Sequence, residues 1–165
     1  MNLILTLSSA ALFLIPTASL LAQNNKIPEP PNDGKANYLV YFTHNVTSEM
    51  DWGDLGRASI DRLTGITRNK DGQAFFDEMA TTCISHSVEI TGAGAPRLQG
   101  SCSYQDRDGD QIFSTFVLGK LTYVGGTGKY RGLSGEGTLK SARFSGPSGM
   151  VARISEIEMT WTIKR

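Results

Sequence analysis

The sequence predicts an all-β protein: an antiparallel, closed β-barrel of about eight strands that follows an N-terminal signal peptide. From Ala36 onward, apolar and polar residues alternate with a period of two, which is typical of strands with one buried and one solvated face. Antiparallel sheets show this alternation, whereas parallel sheets are buried on both faces. Glycine-rich turn signals separate the runs, and a closed barrel leaves no strand edge exposed.

The first 22 residues predict a secretory signal peptide. Residues 1–22 contain no Asp, Glu, Lys or Arg, and an apolar core at residues 10–15 precedes Pro16 and several small residues. This order is typical of signal peptides. We predict cleavage after Ala22, with a cut near Ala18 as the alternative; an uncleaved membrane anchor is the competing interpretation. The protein is therefore expected to be secreted or periplasmic, without stable membrane insertion after signal removal.

A short segment separates the signal peptide from the domain. Residues 23–35 hold three of the six prolines and few apolar side chains, which predicts a flexible lead-in. The barrel domain is expected to cover residues 36–165.

Four alternating runs predict which side chains face the barrel interior. A run that keeps one parity presents all its members to one face of the sheet. Arg153 shares the parity of the last run, so it is expected near a barrel mouth, or else on the surface at a strand start. The rows are Tyr38, Val40, Phe42 and His44; Ile84, His86, Val88 and Ile90; Leu98, Gly100, Cys102 and Tyr104; and Ile157, Met159, Trp161 and Ile163.

Turn signals lie between the runs. Asp71-Gly72 and Asp108-Gly109 are Asp-Gly pairs, which strongly favour hairpins. Further breaks are expected at residues 92–94, 125–126 and 146–147, and one helical turn at residues 51–55.

Cys83 and Cys102 are the only cysteines, and an even pair in an exported chain predicts a disulfide. Two buried thiols or a redox pair are the alternatives. Cys102 lies on an apolar row, but Cys83 is out of phase with Ile84. A β-bulge near Cys83 would reconcile the two phases.

A glycine-rich run, GGTGKYRGLSGEGTL, occupies residues 125–139. It resembles the signature of the dirigent and allene oxide cyclase barrel superfamily, as do the hairpin at residues 102–116 and the final strand around Trp161. The resemblance implies a closed barrel. It also implies kinship with plant cyclases and stereochemical guides and, most of all, with secreted bacterial members of unknown role. It transfers no catalytic residue to this chain.

The acidic turn and the glycine run each have a structural and a chemical interpretation. Asp106, Asp108 and Asp110 lack the pattern of an EF-hand, so a hairpin turn is favoured over a weak surface calcium site. The glycines match neither a phosphate loop nor a dinucleotide fingerprint, and a structural bend is favoured. No metal site and no cofactor are expected.

Charge and composition exclude some partners. The chain has 16 basic and 16 acidic residues, which removes the electrostatic basis for nucleic-acid binding. The sequence predicts neither the oligomeric state nor the identity of a ligand.

Two functions stay open at this stage. The first is a barrel that binds a small apolar or aromatic ligand; the second is a cyclase or isomerase of the allene oxide cyclase type, acting on an unsaturated hydrophobic substrate. A filled interior would contradict both. The candidate ligand-binding residues are Tyr38, Phe42, His44, His86, Tyr104, Arg153 and Trp161; no catalytic residue is assigned.

Overall fold

The computed structural model describes residues 26–145 and 151–165, and most of them lie in β-strands. Signal-peptide cleavage at Ala22 and the turn at residues 146–147 fall outside this part of the chain. Two short 3₁₀ helices, Gly53–Leu55 and Gly128–Tyr130, accompany the strands. The eight strands are β1 Asp33–Asp51, β2 Gly56–Asn69, β3 Ala80–Ile90, β4 Arg97–Gln105, β5 Gln111–Val117, β6 Lys120–Gly126, β7 Leu133–Ser145 and β8 Val151–Ile163.

Each strand pairs antiparallel with the next, and β8 returns to pair with β1, so the sheet closes on itself. This confirms the fold class and the strand number expected from the sequence. The expected helical turn is the 3₁₀ helix Gly53–Leu55. Within residues 26–145 and 151–165 no helix has the length and apolar character needed to cross a membrane.

Three of the four predicted rows face the interior. Tyr38 and Val40 of β1 are fully buried, and Tyr104 of β4 and Ile157 of β8 are each only 1% exposed. The strands of a barrel alternate inward and outward positions, and these rows carry the apolar side chains that the core requires. The parity argument is confirmed for β1, β4 and β8.

The row predicted for β3 is wrong. Ile84 is 59% exposed and His86 is exposed, while Cys83 and Ser85 are buried. Cys83 lies directly opposite Cys102 in an unbulged register, and the two form a disulfide. A cross-strand disulfide requires both cysteines on one face, so Ile84 and His86 must point outward. The disulfide is confirmed, and no bulge reconciles its phase with Ile84.

One connecting segment fills half of the barrel. Between β2 and β3, Phe75 and Phe76 turn inward, and Phe76 is fully buried. Asn69 holds this segment, because its amide donates to the Phe75 carbonyl and its oxygen accepts from the backbone N–H of Asp71 and Gln73. We call Phe75 and Phe76 the plug, and the half of the barrel that contains them the closed half.

The plug is the centre of an aromatic cluster. Phe76 stacks on Tyr38 with ring centroids 4.3 Å apart, and Phe75 lies 4.4 Å from Trp161. The Tyr38 and Tyr123 hydroxyls share a hydrogen bond of 2.5 Å. Burial raises the pKa of Tyr38, Tyr104 and Tyr123, with mutual repulsion of their ionised forms as a further cause for Tyr38 and Tyr123. These hydroxyls are therefore neutral over the physiological range.

The described part of the lead-in, residues 26–35, contacts the barrel. Ile27 is buried, and its backbone N–H donates to Asp108 at 2.9 Å. The Trp161 indole donates to the Pro31 carbonyl, and Arg165 donates to the Pro30 carbonyl. The strand β1 already begins at Asp33. The expectation of a flexible lead-in is therefore corrected for residues 26–35, which pack against the closed half.

The acidic turn forms the predicted hairpin and carries its own counter-ion. The Lys129 ammonium lies 2.7 Å from Asp106, 2.7 Å from Asp108 and 3.3 Å from Asp110. The Tyr130 hydroxyl also donates to buried Asp106. The Lys129 ammonium group thus neutralises the three carboxylates that a calcium ion would otherwise have bound. Within the described residues, no group of three or more His, Cys, Asp or Glu side chains is arranged to hold a metal ion.

The glycine run is a bend, as its structural interpretation predicted. Gly128 has φ +50°, and a Cβ there would lie 1.8 Å from the Asp110 carboxylate. Gly132 has φ +79°, and a Cβ there would lie 2.2 Å from the Lys164 carbonyl. Only glycine combines left-handed backbone with such close approach at low cost.

Candidate functional site at the open end of the barrel

The end of the barrel opposite the plug holds a recess with a volume of about 210 Å³. Strands β1, β7 and β8 have 19, 13 and 13 residues, whereas β5 and β6 have seven each. The long strands therefore form tall walls on one side of this open half. The recess is lined by His44, Val46, Glu49, Arg57, Ser59, Asp61, Ser87, Glu89, Pro96, Leu98, Arg143 and Arg153.

Below the recess lies a small apolar cavity of about 30 Å³ in the barrel interior. Leu98 and Arg153 line both spaces, so the cavity continues the recess inward. Tyr104 and the Cys83–Cys102 disulfide form part of its wall, and the closed half begins beneath them. The other lining residues are Phe42, Leu63, Phe116, Leu121, Leu139, Ser141, Ser155 and Ile157.

A buried histidine–carboxylate pair stands at the junction of recess and cavity. His44 Nε2 lies 3.1 Å from Asp61 Oδ1, and the two side chains are only 5% and 7% exposed. The two atoms are near enough to attract but are not aligned as a hydrogen bond. Both His44 ring nitrogens and Asp61 Oδ1 lack a hydrogen-bond partner among the described residues. The other Asp61 oxygen accepts from the Ser59 hydroxyl.

Arg153 is the second unusual group at this junction. It lies opposite Arg143 in the β7–β8 ladder, and its Nε atom is buried without a partner in the described chain. Burial lowers the pKa of Arg153, nearby Arg143 lowers it further, and Asp61 opposes the shift. Like charges directly opposite each other in a ladder are destabilising. This arginine pair therefore costs stability, which the attraction between Asp61 and Arg153 offsets only in part.

The arrangement suits a ligand with an apolar body and a polar head. Buried polar groups in folded proteins are almost always hydrogen-bonded, so exceptions call for an explanation. Here the exceptions are donors and acceptors that meet at the mouth of an apolar cavity. A ligand head in the recess would satisfy them, while its body would contact Phe42 and Phe116 below.

The structure brings together four of the seven predicted ligand-binding residues. Phe42 and Tyr104 line the cavity, His44 lines the recess, and Arg153 lines both. Arg153 thus takes the inward position near a mouth that its parity indicated.

The other three predicted residues lie elsewhere. Tyr38 and Trp161 face inward, but the plug packs against them and leaves them no contact with the cavity. His86 lies on the outer wall, because the disulfide turns its parity outward. We therefore correct the expectation that these three line a ligand cavity.

Sequence reasoning missed Asp61, the position of Arg143 beside Arg153, and the plug. Asp61 shares the parity of Leu63, which is buried, and this signal was available in β2. Arg143 is revealed only by its register with Arg153. The plug residues lie in a connection between strands, where no periodicity indicates the direction of a side chain.

Comparison with known proteins gives a likeness in barrel architecture. Two solved structures of pterocarpan synthase dirigent proteins are similar to this chain. The first has a TM-score of 0.47 at 13% identity, covering 84% of this chain and 90% of its own. The second has a TM-score of 0.45 at 11% identity, covering 80% and 97%. No family model and no curated protein matches the chain.

Proposed function

We propose that this protein is exported and binds a small apolar or aromatic ligand in the open half of its barrel. The observation that carries the proposal is the set of unpartnered polar atoms of His44, Asp61 and Arg153 in one recess, of which Arg153 also lines the apolar cavity. Leaving a buried polar group without a partner costs about 1–3 kcal/mol. A bound ligand that supplies the missing partners would remove this cost.

The dimensions favour a small ligand. The recess of about 210 Å³ and the cavity of about 30 Å³ together are below the size of typical drug-sized sites, which are roughly 300–1,000 Å³. A molecule of one or two rings fits this space better than a long chain. The plug blocks any extension into the closed half.

Export is supported by the disulfide and by the composition of residues 1–22. Disulfides form and persist in oxidising compartments, and Cys83 and Cys102 are joined. Mass spectrometry of the protein recovered from the periplasm or medium tests this part. We expect a mature chain that begins at Gln23 and has no free thiol. An unprocessed chain with two thiols, confined to the cytoplasm, would contradict export.

Ligand binding is tested with naphthalene-2-methanol, a neutral aromatic probe, followed by its own fluorescence. The wild type should bind it saturably. Leu98 lines both the recess and the cavity, so Leu98→Trp should fill their junction and weaken binding by about tenfold or more. The matched control is Ile84→Trp on the outer wall, which should leave the affinity unchanged. Absence of saturable binding of both this alcohol and the corresponding carboxylate, or equal binding by the Leu98 variant, would refute the proposal.

A second candidate function is a cyclase or isomerase acting on an unsaturated hydrophobic substrate. The buried His44–Asp61 pair favours it, because a histidine oriented by a carboxylate beside an apolar site can act as a general base. Incubation with unsaturated hydrophobic epoxides, followed by chiral chromatography, is the test. An enzyme would give one stereoisomer in excess, and His44→Gln would abolish the excess, whereas Ile84→Trp on the outer wall would leave it unchanged. A racemic product with the wild type would leave the binding function alone.

A further inference from the structure

We infer that the ligand carries a carboxylate group, which Arg153 and Arg143 bind at the open end of the barrel. The inference rests on the proposed function and specifies the chemical class of the ligand.

Some of the charged side chains around the recess form ion pairs, and two arginines do not. Arg57 pairs with Glu89 at 3.0 Å and reaches Glu49 at 3.9 Å. Asp61 pairs with His44. Neither Arg143 nor Arg153 takes part in any ion pair of the described residues. The segments outside the described part, residues 1–25 and 146–150, contain no Asp or Glu. Within the described residues, no carboxylate therefore lies at ion-pair distance from either arginine, and Asp61 attracts Arg153 only from farther away.

The two arginines lie where their positive charges repel each other. Arg143 and Arg153 are direct neighbours across the β7–β8 ladder, and both line the recess. Each repels the other, and Arg153 is also partly removed from water. An anion between them would reverse both effects, because it replaces lost hydration with charge-assisted hydrogen bonds. Because Arg143 is exposed, this need is greatest at Arg153.

The apolar side chains beside Arg153 decide the direction of the ligand body. Arg153 lines the apolar cavity as well as the recess, together with Phe42, Phe116 and Ile157. A ligand whose acidic head lies on Arg153 would therefore direct its body toward these side chains. The cavity of about 30 Å³ admits only the edge of the hydrocarbon part, so most of the ligand body lies in the recess with this edge toward the apolar side chains.

The side chains around the recess favour a carboxylate over a phosphate. The planar guanidinium fork matches the two oxygens of a carboxylate. Asp61, Glu49 and Glu89 line the same recess, so a doubly charged phosphate would meet several like charges at close range. A single negative charge balances the arginine pair with less repulsion from these carboxylates.

The test compares naphthalene-2-carboxylate with naphthalene-2-methanol, which has the same ring system and a neutral head. We expect the wild type to bind the carboxylate about tenfold or more tightly, and Arg153→Met to remove this preference. Arg143→Met should reduce it in part. The matched control is Arg62→Met, which removes the same charge from an exposed position of β2 and should leave the preference intact. Circular dichroism and thermal melting verify that each variant is folded.

The outcomes separate the two proposals. If the wild type binds both probes equally, the carboxylate inference is overturned and the proposed binding function stands. If it binds neither probe, the proposed function fails. A preference for the carboxylate that survives in both the Arg153 and the Arg143 variant would also overturn the inference. Loss of the preference in these two variants, with retention in the Arg62 variant, would support it.

Discussion

The two halves of this barrel use their inward positions in opposite ways. In the closed half, the plug, Tyr38 and Trp161 pack ring against ring, and buried Asn69 and Asp106 have hydrogen-bond partners. In the open half, the inward side chains of His44, Asp61 and Arg153 keep polar atoms without partners. One half therefore supplies stability, and the other half gives up stability, as the proposed binding function would require.

The difference arises from what closes each end. At the closed end a ten-residue connection, residues 70–79, enters the barrel, and residues 26–32 pack beside it. At the open end the walls continue as paired strands, and in the described residues no connection turns inward. A single connection that folds into the barrel is enough to convert half of a possible ligand cavity into core.

The largest effect is expected from the plug. Phe76→Ala removes a fully buried ring from the centre of the aromatic cluster and should lower the free energy of unfolding by about 3–5 kcal/mol. Ile84→Ala, at an exposed position of β3, should change it by about 0.5 kcal/mol or less. Denaturant unfolding measures both. Similar values for the two variants would mean that the closed half does not carry the stability.

The disulfide is expected to have the next largest effect. It joins residues 19 apart in sequence, on neighbouring strands near the boundary between the halves. On the chain-entropy estimate, reduction should lower the free energy of unfolding by about 3 kcal/mol and leave a folded barrel. Thermal melting with and without reductant is the measurement, and a Cys83→Ala/Cys102→Ala variant should match the reduced protein. Complete unfolding on reduction would show that the aromatic core is insufficient alone.

Alkaline pH should destabilise the closed half specifically. A free tyrosine ionises near pH 10, and burial raises the pKa of Tyr38, Tyr104 and Tyr123 above this value in the folded chain. The unfolded chain therefore releases protons that the folded chain keeps. The stabilising contribution is complete below about pH 10 and decreases as the pH rises above it. Ultraviolet titration should show these phenolates appearing together with unfolding; ionisation within the folded barrel would contradict the argument.

The smallest effect, and the one of opposite sign, is expected at Arg153. Arg153→Met relieves its repulsion with Arg143, so the free energy of unfolding should stay unchanged or rise by up to about 1 kcal/mol. In the closed half, Thr67 is buried and accepts a hydrogen bond from the Met79 N–H. Thr67→Val should therefore cost about 1–3 kcal/mol. Paired denaturant measurements on these two variants compare the halves directly, and a large loss at Arg153 would show that it has a structural role.

The sequence by itself determined the barrel and much of its interior. Alternation with period two in β1, β4 and β8 fixed which residues face inward, because successive side chains of a strand must point to opposite faces. The Asp-Gly pairs located two connections, and the positive φ at Gly128 and Gly132 explains the glycine run. The predicted signal peptide and the two cysteines were sufficient to predict the disulfide. These features are local, and the backbone within a few residues decides them.

Only the tertiary structure decided the phase of β3, the plug and the composition of the site. Ile84 and His86 form an apolar row by sequence, but the disulfide across from Cys102 places that row outside. The plug enters the barrel from a connection without periodicity, and it excludes Tyr38 and Trp161 from the cavity. Asp61 meets His44, and Arg143 meets Arg153, through strand pairing between residues far apart or across a hairpin. Register and chain closure bring these groups together, and neither is recorded in the alternation of a single strand.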